Sequence, residues 1–240
     1  MIRYAIGRLL QGLPVLLVVA TVTFALLRLL PGGPFDREKA LPPAIRANVE
    51  ARYHLDEPLL RQYGRYLAGV VRGDLGPSYK YPGRDVGDIL ADSLPVSIQL
   101  GSLALLISLG LGVGAGLSAG MRGGSPLDRV LMGATLLGIS VPSFVLGAAL
   151  MLGVALRVGW PPAGLWEGPA YAILPALTLA ALPTAYVAQL TRTSVLEVVG
   201  QDFVRTARAK GLPEREVVFR HAFRAAVSPA VSFLGPAAAG

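Results

Sequence analysis

The side chains best suited to binding chemistry gather late in the chain, in DFVRTARAKGLPEREVVFRHAFRAAVSP, Asp202 to Pro229. Arg205, Arg208 and Lys210 supply closely spaced cations, with Thr206 among them and Gly211 and Leu212 following. Val199, Phe203, Ala207 and Leu212 are spaced to form an apolar face opposite those cations. Such a set forms ion pairs and fills a groove; it breaks no bonds. Bond-making groups are scarce elsewhere too. There is no cysteine, which removes thiol catalysis, disulfides and cysteine metal sites. His54 and His221 are far apart and make no metal motif. No GxxxxGK[ST] phosphate loop occurs, so this chain is not expected to hydrolyse ATP. No catalytic residue, metal ligand or resident cofactor is expected.

The segment must be held by local structure. Gly211 can take the left-handed conformation that ends a helix. Pro213 suits the first turn of a second helix, with Glu214 and Glu216 near its positive end and Arg220 and Arg224 towards the other. The predicted form is helix, glycine turn, helix. Two readings stand: the knob enters a groove on a partner protein, or the amphipathic helix rests on anionic lipid.

The rest of the chain sets where that knob sits. Of 240 residues, 53% are hydrophobic and 15% charged, against about 25% charged in soluble domains. Leu9–Leu30, Val96–Gly120, Leu131–Leu156 and Tyr171–Leu190 reach or approach the ~20 apolar residues that cross a bilayer. The fold class is all-α, a polytopic membrane protein. Residues 1–30 hold the N-terminus and first membrane helix. Residues 31–94 form a polar region with helix signals around Pro43–His54 and from Glu57-Pro58 through Tyr66. Leu55, Leu59, Tyr63, Tyr66 and Leu67 give that region an apolar stripe, and Gly73–Pro77 has turn chemistry. Residues 95–240 are the core: helices 95–120, 130–156 and 171–191, the loop 197–224, and the start of a fifth helix at 225–240. The net charge of +7 reads as lysine and arginine retained on the cytoplasmic side, not as a nucleic-acid site. Short basic loops then place the N-terminus and Asp202–Arg224 inside and Pro31–Leu94 outside. Trp160 and Trp166 fit an interfacial belt.

The helix centres carry few ionisable residues, which argues against a proton- or sodium-coupled transporter and a charge-ringed channel. They carry glycine instead. Gly112, Gly116 and Gly120 are spaced for close helix packing, and Gly110 and Gly114 form a second row. That contact reads either as static or as sliding during a cycle. Ser140-Val141-Pro142-Ser143 interrupts the third helix, because proline frees a backbone carbonyl. A pathway-lining kink at Ser140, Pro142 and Ser143 and a plain structural kink are both consistent with this. Pro175 and Pro183 pose the same choice.

At this point the chain resembles a known family. DFVRTARAKGLPEREVVFRHAFRAAVSP is similar to the cytoplasmic loop of ABC-transporter permeases of the dipeptide, oligopeptide and nickel uptake family. RYAIGRLLQGLPVLLVV, LLPGGP, YHLDEPLLRQYGRYLAGVVRGDLGPS, LDRVLMGATLLGISVPSFVLG and ILPALTLAALPTAYVAQLTRTSVLEVVGQDFVRTARAKGL resemble successive parts of the same family, in order. The resemblance implies the type I ABC importer permease fold and a place in the bacterial inner membrane. It makes Arg205, Thr206, Ala207, Arg208, Lys210, Gly211 and Leu212 a coupling loop seated on ABC ATPase subunits, which bind the ATP and magnesium. It also implies a second, similar permease and an extracytoplasmic solute-binding protein, with membrane lipid around the helices. The resemblance implies a di- or oligopeptide or a related small molecule as the solute. The family is expected to have six membrane helices, of which this chain begins about five. The alternative function is a non-transporting fragment or assembly subunit that keeps ATPase docking, and the 240-residue form is expected not to support transport. A membrane-embedded enzyme has no acid/base or metal cluster to rest on.

Overall fold

The computed structural model describes residues 2–29, 57–78, 81, 84–160, 164–213, 216–217 and 223–239. The expected helix at Pro43–His54, Leu55, Glu214 and Arg220 lie outside them. The regular elements named among the described residues are all helical. Two compact units emerge, Met1–Leu94 and Pro95–Gly240.

In the first unit, α1 spans Ile2–Leu29 and so starts well before Leu9. α2 spans Leu59–Arg72. Pro58 stands before its first turn, not within it, with an extended backbone. Its carbonyl accepts the Arg61 and Gln62 N–H groups. α2 continues past Tyr66 until Gly73, whose φ of 79° places it in the left-handed region. The Asp74 N–H then returns to the Gly69 carbonyl at 2.9 Å, a glycine-stopped helix end. Tyr63 and Tyr66 of the expected stripe pack on Phe24, whereas Leu59 is exposed.

α3, Val86–Met121, begins earlier than Val96 and carries the chain into the second unit. Gly124, at φ +79°, turns the chain into α4, Pro126–Ser140. Ser125 caps α4 by accepting the Asp128 N–H, and Pro126 occupies its first turn. The third apolar run then breaks. α5 is Ser143–Leu150, followed by a π-helical turn, Met151–Ala155, and a last turn, Leu156–Val158. The two halves meet at 106°. A 3-10 turn, Pro169–Ala172, leads into α6, Ile173–Val199. α6 runs past the expected end, so Arg192 lies inside the helix and not in the loop beyond it. α7 is Asp202–Ala209, and α8 is Phe223–Ala239, with Pro229 and Pro236 inside.

Three of these helices are long and apolar enough to cross a membrane, or four if the bent pair forms one span. α6 is the hub of the second unit. α4, α5 and α8 all pack on it, Tyr186 meeting the Phe233 ring at 5.6 Å. Its buried positions run from Leu174 to Val195.

Candidate docking site

α7 follows α6 after only Gly200 and Gln201. Gln201 is extended, and its carbonyl takes the Val204 and Arg205 N–H groups at 3.1 Å. At the other end Gly211 has φ +80°. The Leu212 N–H reaches the Ala207 carbonyl at 3.4 Å, and the Gly211 N–H reaches Arg208 at 2.9 Å. That pair of bonds closes a helix through a left-handed glycine. The Pro213 carbonyl then accepts from Glu216 and Val217. Glu216 and Val217 are helical, and Pro213 itself is not.

The apolar face of α7 differs from the sequence expectation, with Val198 and Val204 in the seat where Val199 and Phe203 were expected. Val204 and Val217 are fully buried, Ala207 is 4% exposed, and Val198 and Leu212 pack against them. Phe203, expected on this apolar face, is 47% exposed. Gly200 and Gln201 cause the shift. They break the helix between Val199 and Phe203, so the phase restarts at Asp202 and brings Val204 inward with Ala207. Arg205, Thr206, Arg208 and Lys210 remain exposed. Ala207 is thus a seating residue within this chain, and the outward surface consists of Phe203 and the cations. Burying two valines contributes ~1.5–3 kcal/mol each, enough to hold α7 against the end of α6. The Arg205–Asp202 pair, 3.8 Å apart and exposed, adds little.

The glycine row faces α6. A Cβ at Gly112 would stand 2.7 Å from the Val187 Cβ and 2.9 Å from the Thr184 carbonyl. One at Gly116 would stand 2.5 Å from the Ala188 carbonyl and 2.6 Å from the Thr191 Cβ. At Gly120 it would meet the Val195 Cβ at 2.7 Å. Ala104 and Ser108 extend the row, and the Ser108 hydroxyl lies 2.7 Å from the Ala104 carbonyl and 3.2 Å from that of Ala180 across the seam. Gly110 and Gly114 meet nothing within 4 Å, so the second row takes no part in this contact.

Sequence reasoning passed over one constellation. Arg192 grips Asp128 with two bonds, Nε to Oδ1 at 2.5 Å and an Nη to Oδ2 at 2.7 Å. Asp128 Oδ2 also takes the Gly124 N–H at 2.9 Å. The Asp128 side chain is 4% exposed and Arg192's 30%. This pair ties the start of α4 to α6, a short way before α7. Two signals pointed to it. Ser125 and Asp128 have capping-box spacing, and Arg192 follows the buried Ala188 at helical period. About one turn earlier in α6, Gln189 donates to the Thr135 hydroxyl at 3.3 Å.

The break at Ser140–Ser143 rides on the same helix. Gly138, before it, faces the Ala181 carbonyl at 3.2 Å from its would-be Cβ, and Gly147, after it, faces Thr178 at 3.4 Å. Ser140, Pro142 and Ser143 are exposed, and Pro142 stands before the first turn of α5. α7, glycine seam, ion pair and broken helix are separate patches. What joins them is α6.

Comparison with known proteins agrees along the whole chain. Residues 112–240 match the family model described as binding-protein-dependent transport system inner membrane component. Residues 1–101 match that of the N-terminal part of such membrane components. The chain is 42% identical to the oligopeptide transport system permease protein OppB of Salmonella typhimurium, over 100% of this chain and 79% of that protein. It is 44% identical to OppB of Haemophilus influenzae over the same shares. It is 40% identical to the dipeptide transport system permease protein DppB of Bacillus subtilis, over 98% of this chain and 76% of the relative.

Proposed function

Because the chain belongs to the binding-protein-dependent transport system inner membrane component family, we propose that it is the membrane-spanning permease subunit of an ATP-driven importer of di- or oligopeptides. It is a transport component and not an enzyme. In this reading, ATP and magnesium are bound by separate ATPase subunits seated on α7. A second, similar permease completes the pathway, and an extracytoplasmic binding protein delivers solute on the side where residues 31–94 lie. The N-terminus and α7 lie in the cytoplasm.

One observation favours docking on a protein over resting on lipid. A lipid-bound amphipathic helix needs its apolar face free. Val204, Ala207 and Leu212 are already used inside this chain. What α7 offers outward is Arg205, Thr206, Arg208 and Lys210, with Phe203 as a single apolar anchor. Charges around one aromatic anchor suit a protein groove.

The contacts support one route of force. Closure of the ATPase pair displaces α7. The Val204–Ala207–Val217 seat passes that displacement to the end of α6. α6 then carries it to α3 through the glycine seam, to α4 through Arg192–Asp128, and to both sides of the 106° break. Co-purification with the ATPase subunits tests the docking step. Arg205→Glu with Arg208→Glu is expected to lose the ATPase while the chain remains membrane-inserted; recovery of the ATPase at wild-type yield refutes it.

A further inference from the structure

The α2 helix has a face that the transport reading leaves unused. Leu60 and Val71 fall on one side of the helix, with Gly64 and Leu67 between them. Leu60 is 85% exposed and Val71 87%. The adjoining side is occupied. Tyr63 and Tyr66 pack on Phe24 with ring centroids 5.3 and 5.8 Å away, and the Tyr63 hydroxyl pairs with Thr21 Oγ1 at 2.6 Å. On the opposite flank stand Arg61, Arg65 and Arg72, and α2 contains no acidic residue.

These contacts fix the level of α2. Thr21 and Phe24 lie at the C-terminal end of the apolar stretch Ile6–Leu26, where a membrane-crossing helix leaves the hydrocarbon. Tyrosines are favoured at that level. A helix held there, apolar on one side and edged by arginines, has the make-up of an interfacial helix. We propose that α2 lies in the membrane surface at the C-terminal end of α1, with Leu60, Leu67 and Val71 among the acyl chains and its arginines at anionic phospholipid headgroups. Arginine stems can lie along the apolar boundary while the guanidinium stays with the headgroups. Arg65 also meets Glu57 at 2.7 Å, so Arg61 and Arg72 carry most of the attraction. Lipid is favoured over a protein occupant by the tether to α1 and by the single sign of charge along the helix.

The chain has no cysteine, so single spin labels can be placed without background. The full chain is labelled at Leu60→Cys, Val71→Cys or Arg65→Cys and reconstituted in vesicles of phosphatidylcholine with phosphatidylglycerol. Collision with oxygen is expected to exceed collision with a water-soluble nickel chelate at positions 60 and 71, and the ratio should be several-fold lower at 65. Equal nickel access at all three positions overturns the proposal, as does shielding of 60 and 71 from both agents, which places protein over the face. In pure phosphatidylcholine the labels at 60 and 71 should sit nearer the water. An unchanged depth there overturns the headgroup part. Neither readout depends on transport activity.

Discussion

Replacing Gly116 and Gly114 by alanine, one at a time, measures the seam between α3 and α6. Both glycines lie inside α3, so any gain in helix propensity, up to ~1 kcal/mol for alanine over glycine, is shared and cancels in the comparison. Only the surroundings differ. At position 114 the new methyl meets nothing within 4 Å. At position 116 it lands 2.5 Å from the Ala188 carbonyl and 2.6 Å from the Thr191 Cβ. Ordinary contact begins at 3.4 Å, and the nearest obstacle is backbone, which no rotamer change can move. The helices must part by about an ångström, which loosens the neighbouring contacts at Gly112 and Gly120 and stretches the Ser108–Ala180 bond. Overpacking of this kind costs ~1–3 kcal/mol, and one interhelical hydrogen bond in a membrane protein is worth ~0.6 kcal/mol. Gly116→Ala is therefore expected to be less stable than Gly114→Ala by ~1–3 kcal/mol. Reversible unfolding of the purified chain in mixed micelles, followed by circular dichroism, reads this difference. Equal stability of the two variants would refute the seam.

Other perturbations test other links. Asp128→Asn leaves the Arg192 guanidinium without its carboxylate and should cost about 2–3 kcal/mol, below the ~3–5 of a fully buried pair because Arg192 keeps some access to water; the double variant with Arg192→Gln should cost less than the two single losses added, and strict additivity in the same unfolding assay would count against the ion pair. Gly211→Ala meets no neighbour within 4 Å, so its cost is the left-handed backbone alone, ~1–2 kcal/mol. Its effect should appear as faster limited proteolysis around Lys210 with the membrane helices unaffected. Ala207→Glu places a charge in a 4%-exposed position and should release α7 at a cost above ~2 kcal/mol, whereas Thr206→Glu on the exposed side should leave proteolysis unchanged.

The sequence made the helical membrane class, the glycine-terminated helix α7 and the order of the elements legible, because long apolar runs and Gly211 act locally. The limits of helices were less visible. α6 passes Leu190 and brings Arg192 to Asp128; the helical period places Arg192 on the buried side of α6, but it does not identify a partner 64 residues away in sequence. The face of α7 was misread at Phe203 because two residues, Gly200 and Gln201, reset the helical phase, and a continuous period was assumed across them. The glycine spacing set out Gly112, Gly116 and Gly120 as one row and Gly110 and Gly114 as a second, and only the first lies against α6; which row meets α6 depends on how the helix is rotated in the packed unit. The Ser140–Ser143 interruption was plain from Pro142. Its 106° angle was not, since proline alone does not set how far the second half swings.

The claim that joins these parts is that the outward face of α7 grips an ATPase. Thr206→Cys provides the most direct measurement, since the chain otherwise has no cysteine and position 206 is exposed. The full transporter, carrying a photoactivatable thiol-linked probe at 206, is irradiated in membranes and resolved by gel. The account predicts an adduct between this chain and the ATPase subunit, reduced when ATPase is stripped from the membranes beforehand. Label that transfers to phospholipid, with no ATPase adduct in the intact complex, would contradict it.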